Sequence, residues 1–144
     1  MITKLKQRLA SDEGFTLIEL LVVIVILGIL VAIAVPSYLS LRGNAQVAAS
    51  KSNVRSAIPA AETFYQQADP STYTGITRAS LNAQAPGVSA NVLAAANVAG
   101  TGYCIEDTEG ASVWHYTGGT GGTSTLTTGG CPIATYSVGD AVTG

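Results

Sequence analysis

The stretch FTLIELLVVIVILGILVAIAV, residues 15–35, decides how this chain is built. It runs for 21 residues and contains a single ionisable side chain, Glu19. A helix of that length is about 31 Å long, which matches the hydrocarbon core of a bilayer. The stretch therefore predicts a membrane-spanning helix.

The segment before this helix predicts its orientation. Residues 1–14 (MITKLKQRLASDEG) are polar and carry three basic side chains, Lys4, Lys6 and Arg8. Basic residues flanking a membrane helix stay on the cytoplasmic side. We therefore expect a cytoplasmic N-terminus and an exported C-terminal part.

The composition predicts one domain after the helix, and its charges argue against nucleic-acid binding. Of 144 residues 47% are apolar and 11% charged, with a net charge of −2. Beyond Arg55 the one basic residue is Arg78, and a protein needs Lys and Arg to displace counterions from DNA phosphates. The acids of the same part outnumber it: Glu62, Asp69, Glu106, Asp107, Glu109 and Asp140.

A second, amphipathic helical stretch is predicted over residues 36–68. Pro36 predicts a kink or local melting, and Pro59 a bend or a restart capped by Ser56. The helix should end near Ala68, before the breaker Asp69-Pro70. One apolar stripe is formed by Val47, Val54, Ile58, Ala61 and Tyr65. The polar residues expected on the other faces are Ser50, Lys51, Asn53, Arg55 and Glu62.

Residues 69–144 predict a small antiparallel sheet, so the fold class is α+β. Residues 77–83 indicate a short capped helix, whereas residues 88–98 fit either a strand or a helix. Residues 117–130 (TGGTGGTSTLTTGG) are too poor in large side chains to pack and predict a flexible loop. The candidate strands are 103–106 and 113–116, joined as a hairpin through Glu109-Gly110, and 133–138.

The chemistry-bearing residues of this part favour a structural role over catalysis. Cys104 and Cys131 have 26 residues between them, which fits neither a redox CxxC nor a zinc site. In an exported domain they predict one disulfide, and two unpaired buried thiols are the alternative. His115 is expected to be an ordinary strand residue. The cluster Glu106, Asp107 and Glu109 favours a solvated turn over a calcium site. We expect no metal, no cofactor and no enzyme activity.

Two ordinary explanations compete for the N-terminal segment. A secretory signal peptide would use Ala32-Ile33-Ala34 as its cleavage site, but Glu19 inside the apolar run and Pro36 beside the site argue against it. An uncleaved signal anchor would leave Glu19 merely reaching for the membrane surface. An acid within a membrane helix is treated as functional by default, because its burial costs free energy.

The stretch Gly14-Phe15-Thr16-Leu17-Ile18-Glu19-Leu20, followed by the apolar helix and Pro36, resembles the class III signal sequence of type IV pilins and their relatives. The match is close over about residues 4–40. The resemblance implies cleavage after Gly14 by a membrane aspartyl prepilin peptidase, and then N-methylation of Phe15. It also implies a pilin-like fold, with helices in a filament core and globular domains outside.

The physics of the segment fits that scheme. Cleavage frees a cationic amine on Phe15, and the family implies that Glu19 pairs with this amine on a neighbouring subunit. Before cleavage the polar leader would have to enter the apolar core, so assembly is blocked. Gly28 and Pro36 would let the helix between them loosen in the assembled state. Helix packing in the bilayer is the alternative role for Gly28.

The expected organisation is a cleaved leader (1–14), a membrane and filament-core helix (15–35), an amphipathic second half (36–68) and an exported sheet domain (69–144). The leading hypothesis is a structural type IV pilus subunit for adhesion or twitching motility. The alternatives are a type II secretion pseudopilin and a signal-anchored binding module. The expected partners are copies of itself, the peptidase, lipid before assembly, and the assembly machinery. The precursor is expected in the cytoplasmic membrane and the product in an extracellular pilus.

Overall fold

The computed structural model describes residues 15–143, so the predicted leader and Gly14 lie outside the described residues. The chain divides into two compact units between Ser40 and Leu41. Helix α1, Leu17–Gln67, is 51 residues long and contributes its first part to one unit and its last part to the other. It ends one residue before the predicted end at Ala68.

The predicted local melting around Pro36 is wrong for the chain on its own. Residues 28–36 are helical throughout, and the Pro36 side chain is exposed. The ring removes one main-chain donor but faces away from packed atoms, so the helix can continue past it. Directly after Pro36, the Ser37 hydroxyl donates to the Ile33 carbonyl oxygen at 3.3 Å. Loosening of this segment in an assembled state stays a prediction.

The predicted restart of the helix at Pro59 is also wrong. Pro59 lies on the exposed face of α1, while Ala57, Ala60 and Ala61 are buried against the rest of the unit. Burial of these three alanines offsets the main-chain hydrogen bond that Pro59 cannot donate. Ser56 does not cap a new turn, because its hydroxyl donates to the Asn53 carbonyl oxygen at 2.8 Å.

A short helix and five strands follow α1 in the second unit. Helix α2 begins after Thr77, whose side chain accepts from the Ser80 main chain while Ser80 accepts in return, so the predicted capped helix is confirmed. The stretch 88–98, left open by its pattern, contains a strand. The elements are α2 (Arg78–Gln84), β1 (Val92–Asn97), β2 (Gly102–Glu109), β3 (Ser112–Gly119), β4 (Leu126–Thr128) and β5 (Tyr136–Gly139).

The strands form one antiparallel sheet in the order β4-β3-β2-β1-β5. The predicted hairpin is confirmed: Glu109 pairs with Ser112, and Gly110 turns the chain with a φ of +60°. The predicted loop 117–130 is wrong in part, because β4 pairs with β3 inside it. Ladder hydrogen bonds come from the main chain, so a segment poor in large side chains can still add an edge strand.

The core lies between α1 and one face of this sheet. The alternation of β1 and β2 sends odd and even positions to opposite faces. The buried residues on the helix side include Val54, Ala57, Ala61, Val92, Ala94, Ala96, Tyr103 and Ile105. The other face buries a smaller cluster of Ala95, Cys104, Cys131 and Tyr136. Cys104 and Cys131 are bonded, so the predicted disulfide is confirmed, and it joins β2 to the segment after β4.

Three polar residues predicted on the outer faces of α1 instead make contacts with the rest of the unit. Ser50 is fully buried and its hydroxyl donates to the Asp107 carbonyl oxygen at 2.8 Å. The Asn53 amide donates to the Asp107 carboxylate at 3.3 Å and to Glu109 Oε1 at 3.2 Å. The third residue, Glu62, accepts hydrogen bonds from two tyrosines. The predicted stripe is confirmed at Val54 and Ala61, which are buried, and at Ile58 and Tyr65, which pack against the core. The buried face also includes Ser50, Ala57 and Ala60.

The Glu62 carboxylate ties the helix to the sheet through two tyrosines. Tyr103 donates its hydroxyl proton to Oε1 at 2.7 Å, and Tyr73 donates to Oε2 at 3.0 Å. The two rings also contact each other, with centroids 4.6 Å apart. Burial and the Glu62 charge raise the pKa of both tyrosines, so both hydroxyls stay protonated donors.

The predicted solvated turn at Glu106 and Asp107 is wrong, because both side chains are fully buried. The turn begins only after Glu109, so the two acids lie inside β2 and point to opposite faces. Glu106 accepts from the main-chain N–H groups of Cys131 and Thr143, at 2.6 Å each. Asp107 lies beneath the helix, where burial raises the pKa of its carboxyl above the usual value.

Candidate functional site

The first unit presents a helix surface that is apolar all round and uncovered. The large apolar side chains of residues 17–35 are exposed by fractions from 45% at Leu21 to 82% at Leu17. By length and composition this is the one helix among the described residues that could cross a membrane. A helix that is hydrophobic all round is stable in water only when something buries it. Residues 15–143 leave this surface uncovered.

Glu19 lies in the first turn of α1, where it completes a hydrogen-bonded cap. The Thr16 hydroxyl donates to Glu19 Oε2 at 2.7 Å, and the Thr16 main-chain N–H donates to the same oxygen at 2.9 Å. In return the Glu19 N–H donates to the Thr16 hydroxyl at 3.2 Å. This is a capping box, with Thr16 at the N-cap and Glu19 three residues later. The carboxylate is thereby fixed beside the main chain at the helix start.

Sequence analysis missed this cap although its signal was present. A Thr followed three residues later by Glu, directly before an apolar run, is the sequence signature of a capping box. Both bonds to the carboxylate end on Oε2, so within residues 15–143 Oε1 stays open to a donor from another molecule.

Phe15 lies beside this cap and outside the helix. Its side chain is 90% exposed, the highest fraction among the exposed large apolar residues of the described chain. With Glu19 it borders an apolar groove of about 380 Å³ that also includes Ile18, Val22 and Val23. The structure therefore brings Phe15 and Glu19 together at one end of the apolar surface.

The other predicted site residues are not part of this cluster. Gly28 is nine residues beyond Glu19, about 14 Å along the helix, and a methyl group placed on it would meet nothing within 4 Å. Pro36 is two turns further. Cys104 and Cys131 belong to the second unit. In the described part of the chain, no group of three or more acid, His or Cys side chains could hold a metal ion.

Comparison with known proteins identifies a family motif in the N-terminal segment. Residues 9–35 match the family model described as the prokaryotic N-terminal methylation motif. The resemblance to type IV pilins and their relatives is confirmed by this match and by curated relatives. No solved structure matches the chain significantly.

Three of those relatives come from different bacteria. The type IV major pilin protein PilA of Myxococcus xanthus is 36% identical over 58 residues, which are 40% of this chain and 26% of that protein. The type II secretion system core protein G of Pseudomonas aeruginosa is 47% identical over 69 residues, 46% of this chain and 48% of that protein. A type IV narrow pilus major component of Thermus thermophilus is 58% identical over 48 residues, 31% of this chain and 41% of that protein.

The matched regions thus span from about a quarter to about half of the length of these relatives. The long N-terminal helix and the antiparallel sheet give the chain an α+β fold of the pilin kind. The chain carries the prokaryotic N-terminal methylation motif, and its relatives are type IV pilins and a core protein of type II secretion.

Proposed function

We propose that this chain is the structural subunit of a type IV pilus, assembled into a filament through its N-terminal helix. The observation that carries the proposal is the uncovered apolar surface of α1, which has one carboxylate, Glu19, at its start. Lipid can cover such a surface before assembly, and identical helices from other copies can cover it afterwards. A structural role for the subunit follows, with adhesion or motility as properties of the filament.

Processing prepares the helix for this role. Cleavage after Gly14 by a prepilin peptidase would make Phe15 the first residue and give it a free, cationic amine. Methylation of that amine keeps its charge. The motif match over residues 9–35 supports both steps, because it includes the cleavage position and the residue to be methylated. Cleavage also removes the polar leader, which could not enter an apolar filament core.

The capped carboxylate of Glu19 would then pair with the Phe15 amine of a neighbouring subunit. In a core of packed apolar helices an unpaired charge is costly, and leaving one partner of a buried pair alone typically costs about 3–5 kcal/mol. The capping box supports the pairing because it holds the carboxylate on Oε2 and leaves Oε1 for the incoming cation. Assembly would be favoured only for processed subunits in the correct register.

The location follows from the same segment. The precursor would span the cytoplasmic membrane, with Lys4, Lys6 and Arg8 holding its N-terminus inside. The sheet unit would then be exported to a compartment where the Cys104–Cys131 disulfide persists. Pilus assembly machinery would draw the processed subunit out of the lipid and into the filament.

A pseudopilin of a type II secretion system is the second candidate, and it is supported equally well. The similarity to core protein G of that system favours it directly. The leader, its processing and the apolar helix would serve both roles without change. The two differ in the product, which is a long surface filament in one case and a short periplasmic one in the other.

One experiment tests both candidates. The full chain is expressed in a filament-forming host, and its intact mass and sheared surface fraction are measured together with secretion of a type II substrate. We expect a mass lacking residues 1–14 with one methyl added, and the chain in sheared filaments. Mature protein without surface filaments, but with restored secretion in a strain lacking its core pseudopilin, would favour the second candidate. A mature start at Val35, or an uncleaved chain, would contradict both.

A further inference from the structure

A groove in the second unit combines two cationic side chains with aromatic rings, away from the apolar surface of the first unit. It measures about 440 Å³ and lies between α1 and the strands β3 and β4. Lys51, Arg55 and Ile58 line it at helical spacing from one side. The other lining residues are Trp114, Tyr116, Ser124, Thr125 and Leu126.

The two cations of the groove differ in how they are held. The Lys51 ammonium lies 3.9 Å from the centroid of the Trp114 ring, so a cation–π contact fixes it against β3. Arg55, one turn later on α1, has an exposed side chain. The groove therefore presents the Arg55 guanidinium to solvent, next to the positive charge of Lys51. A guanidinium is suited to bind a carboxylate through two parallel hydrogen bonds.

Among the described acids of the second unit, one carboxylate accepts no hydrogen bond within residues 15–143. Among the acids beyond Arg55, five accept hydrogen bonds inside the unit: Glu62, Glu106, Asp107, Glu109 and Asp140. Asp69 is the sixth, and it lies exposed just after the end of α1. Charge complementarity therefore matches the groove with the surface around Asp69.

Asp69 and the groove lie at different heights along α1. Helix α1 ends at Gln67, which is twelve residues and therefore about 18 Å beyond Arg55 along the axis. Asp69 follows that end by two residues, so this length of helix separates it from Arg55 of its own chain. A second copy shifted along the helix direction by about that distance would place its Asp69 at the groove.

We propose that the groove lined by Lys51, Arg55 and Trp114 is a subunit interface that takes Asp69 of a second copy of this chain. The contact joins two different patches of identical molecules, and such head-to-tail contacts generate open helical filaments when the rotation between copies does not close into a ring. The inference rests on the proposed function. It requires an axial shift of about 20 Å, whereas the Glu19–Phe15 pairing requires about 6 Å, so the two contacts join different neighbours.

Charge reversal and charge exchange test this interface in the full chain. The variants are Arg55→Glu, Asp69→Arg and the double variant, with Arg78→Glu as control, because Arg78 is exposed and lies outside the groove. Like charges placed opposite each other at an interface cost several kcal/mol. We expect sheared filaments to fall by about tenfold or more in each single variant and to recover in the double variant. The control should assemble like the wild type.

The membrane pool separates assembly from folding. Processed, disulfide-bonded subunit should accumulate there in both single variants. If Arg55→Glu lowers the membrane pool, that variant affects folding. The test of the interface then depends on Asp69→Arg, because Asp69 is exposed and lies outside the helix. Wild-type filament yield in Asp69→Arg, or a double variant no better than the single ones, would overturn the interface. Normal filaments that lose binding to anionic saccharides in Arg55→Glu would also overturn it and assign the groove to an external ligand. A wild-type chain that forms no filaments would instead defeat the proposed function itself.

Discussion

The two parts of α1 obtain their stability in different ways. From Leu17 to Ser40 the helix carries large apolar side chains that are exposed on all sides. From Leu41 to Gln67 its buried positions are small residues, such as Ala57, Ala60 and Ala61, packed on the sheet of the same unit. Small residues let a helix approach a sheet closely within one chain. Large exposed ones have to be covered by lipid or by other chains.

This difference separates the effects expected from mutation. A change in the second unit should alter folding of the individual subunit. A change in the first part of α1 should leave the subunit folded and alter its membrane insertion or its assembly.

Loss of the disulfide should have the largest effect on folding. The Cys104–Cys131 bond closes a loop that includes β3 and β4, and its removal by Cys131→Ser should cost about 2–5 kcal/mol. The Cys131 main chain also donates to the buried Glu106, so the anchoring of this segment would weaken as well. Thermal unfolding of the detergent-solubilised chain measures the change. An unchanged Tm, or two reactive thiols in the unreduced wild type, would contradict the structure here.

A matched pair of glycine substitutions should separate the two regions. A methyl group at Gly118 would lie 2.5 Å from the ring of Tyr103, which is fully buried and hydrogen-bonded to Glu62. Gly118→Ala should therefore destabilise the folded unit by about 1–3 kcal/mol. Gly28→Ala meets open space, and the change should favour the helix by up to about 1 kcal/mol.

Tm values and filament yields of these two variants distinguish the roles. A normal subunit with poor filaments in Gly28→Ala would indicate close packing or loosening at this position in the assembled state. Normal filaments would assign Gly28 to neither role. Equal losses of Tm in both variants would contradict the division of the helix into two surfaces.

The smallest expected effect is on the pH dependence of folding stability, through the Asp107 carboxyl group. Folding raises the pKa of this carboxyl, so the unfolded chain ionises it at a lower pH than the folded chain does. Stability from this group is therefore lost as pH rises from about 4, the unfolded value, through the folded pKa. Asp107→Asn cannot ionise and should be as stable as the wild type or more stable at pH 7. The advantage should vanish below about pH 3, and a larger loss of Tm at pH 7 than at pH 3 would refute this sign.

The parts of the fold that sequence analysis predicted are those with strong local signals. The apolar run from residue 15, the helix end before Asp69-Pro70, the Thr77 cap and the hairpin at Gly110 each depend on neighbouring residues. The confirmed disulfide followed from the number and spacing of the cysteines.

The errors arose where distant residues decide the outcome. Ser50 and Glu62 were expected on outer faces because a polar side chain favours solvent, yet Asp107 and the tyrosines of the sheet unit bind them. The strand β4 forms because β3 offers it an edge. At the candidate site the structure brings the predicted Phe15 and Glu19 together, and the cap that Thr16 provides was not predicted. The roles of Phe15 and Glu19 in assembly stay predictions.

In the proposed filament the Glu19 carboxylate forms an ion pair with the Phe15 amine of a neighbouring subunit. Glu19→Ala removes both the charge and the cap, whereas Glu19→Gln removes the charge and can keep the capping box, since Gln serves at the same position. Removing an acid from an apolar helix should leave membrane insertion unchanged or improve it. Cleavage after Gly14 should survive in both variants.

The direct measurement is the ratio of subunit in sheared surface filaments to processed subunit in the membrane, for the wild type, Glu19→Ala and Glu19→Gln. We predict that both variants accumulate processed subunit in the membrane and form no filaments, because the neighbouring Phe15 amine would be left without a counter-ion. Wild-type filament yield in Glu19→Gln would contradict the pairing and reduce the role of Glu19 to capping its own helix.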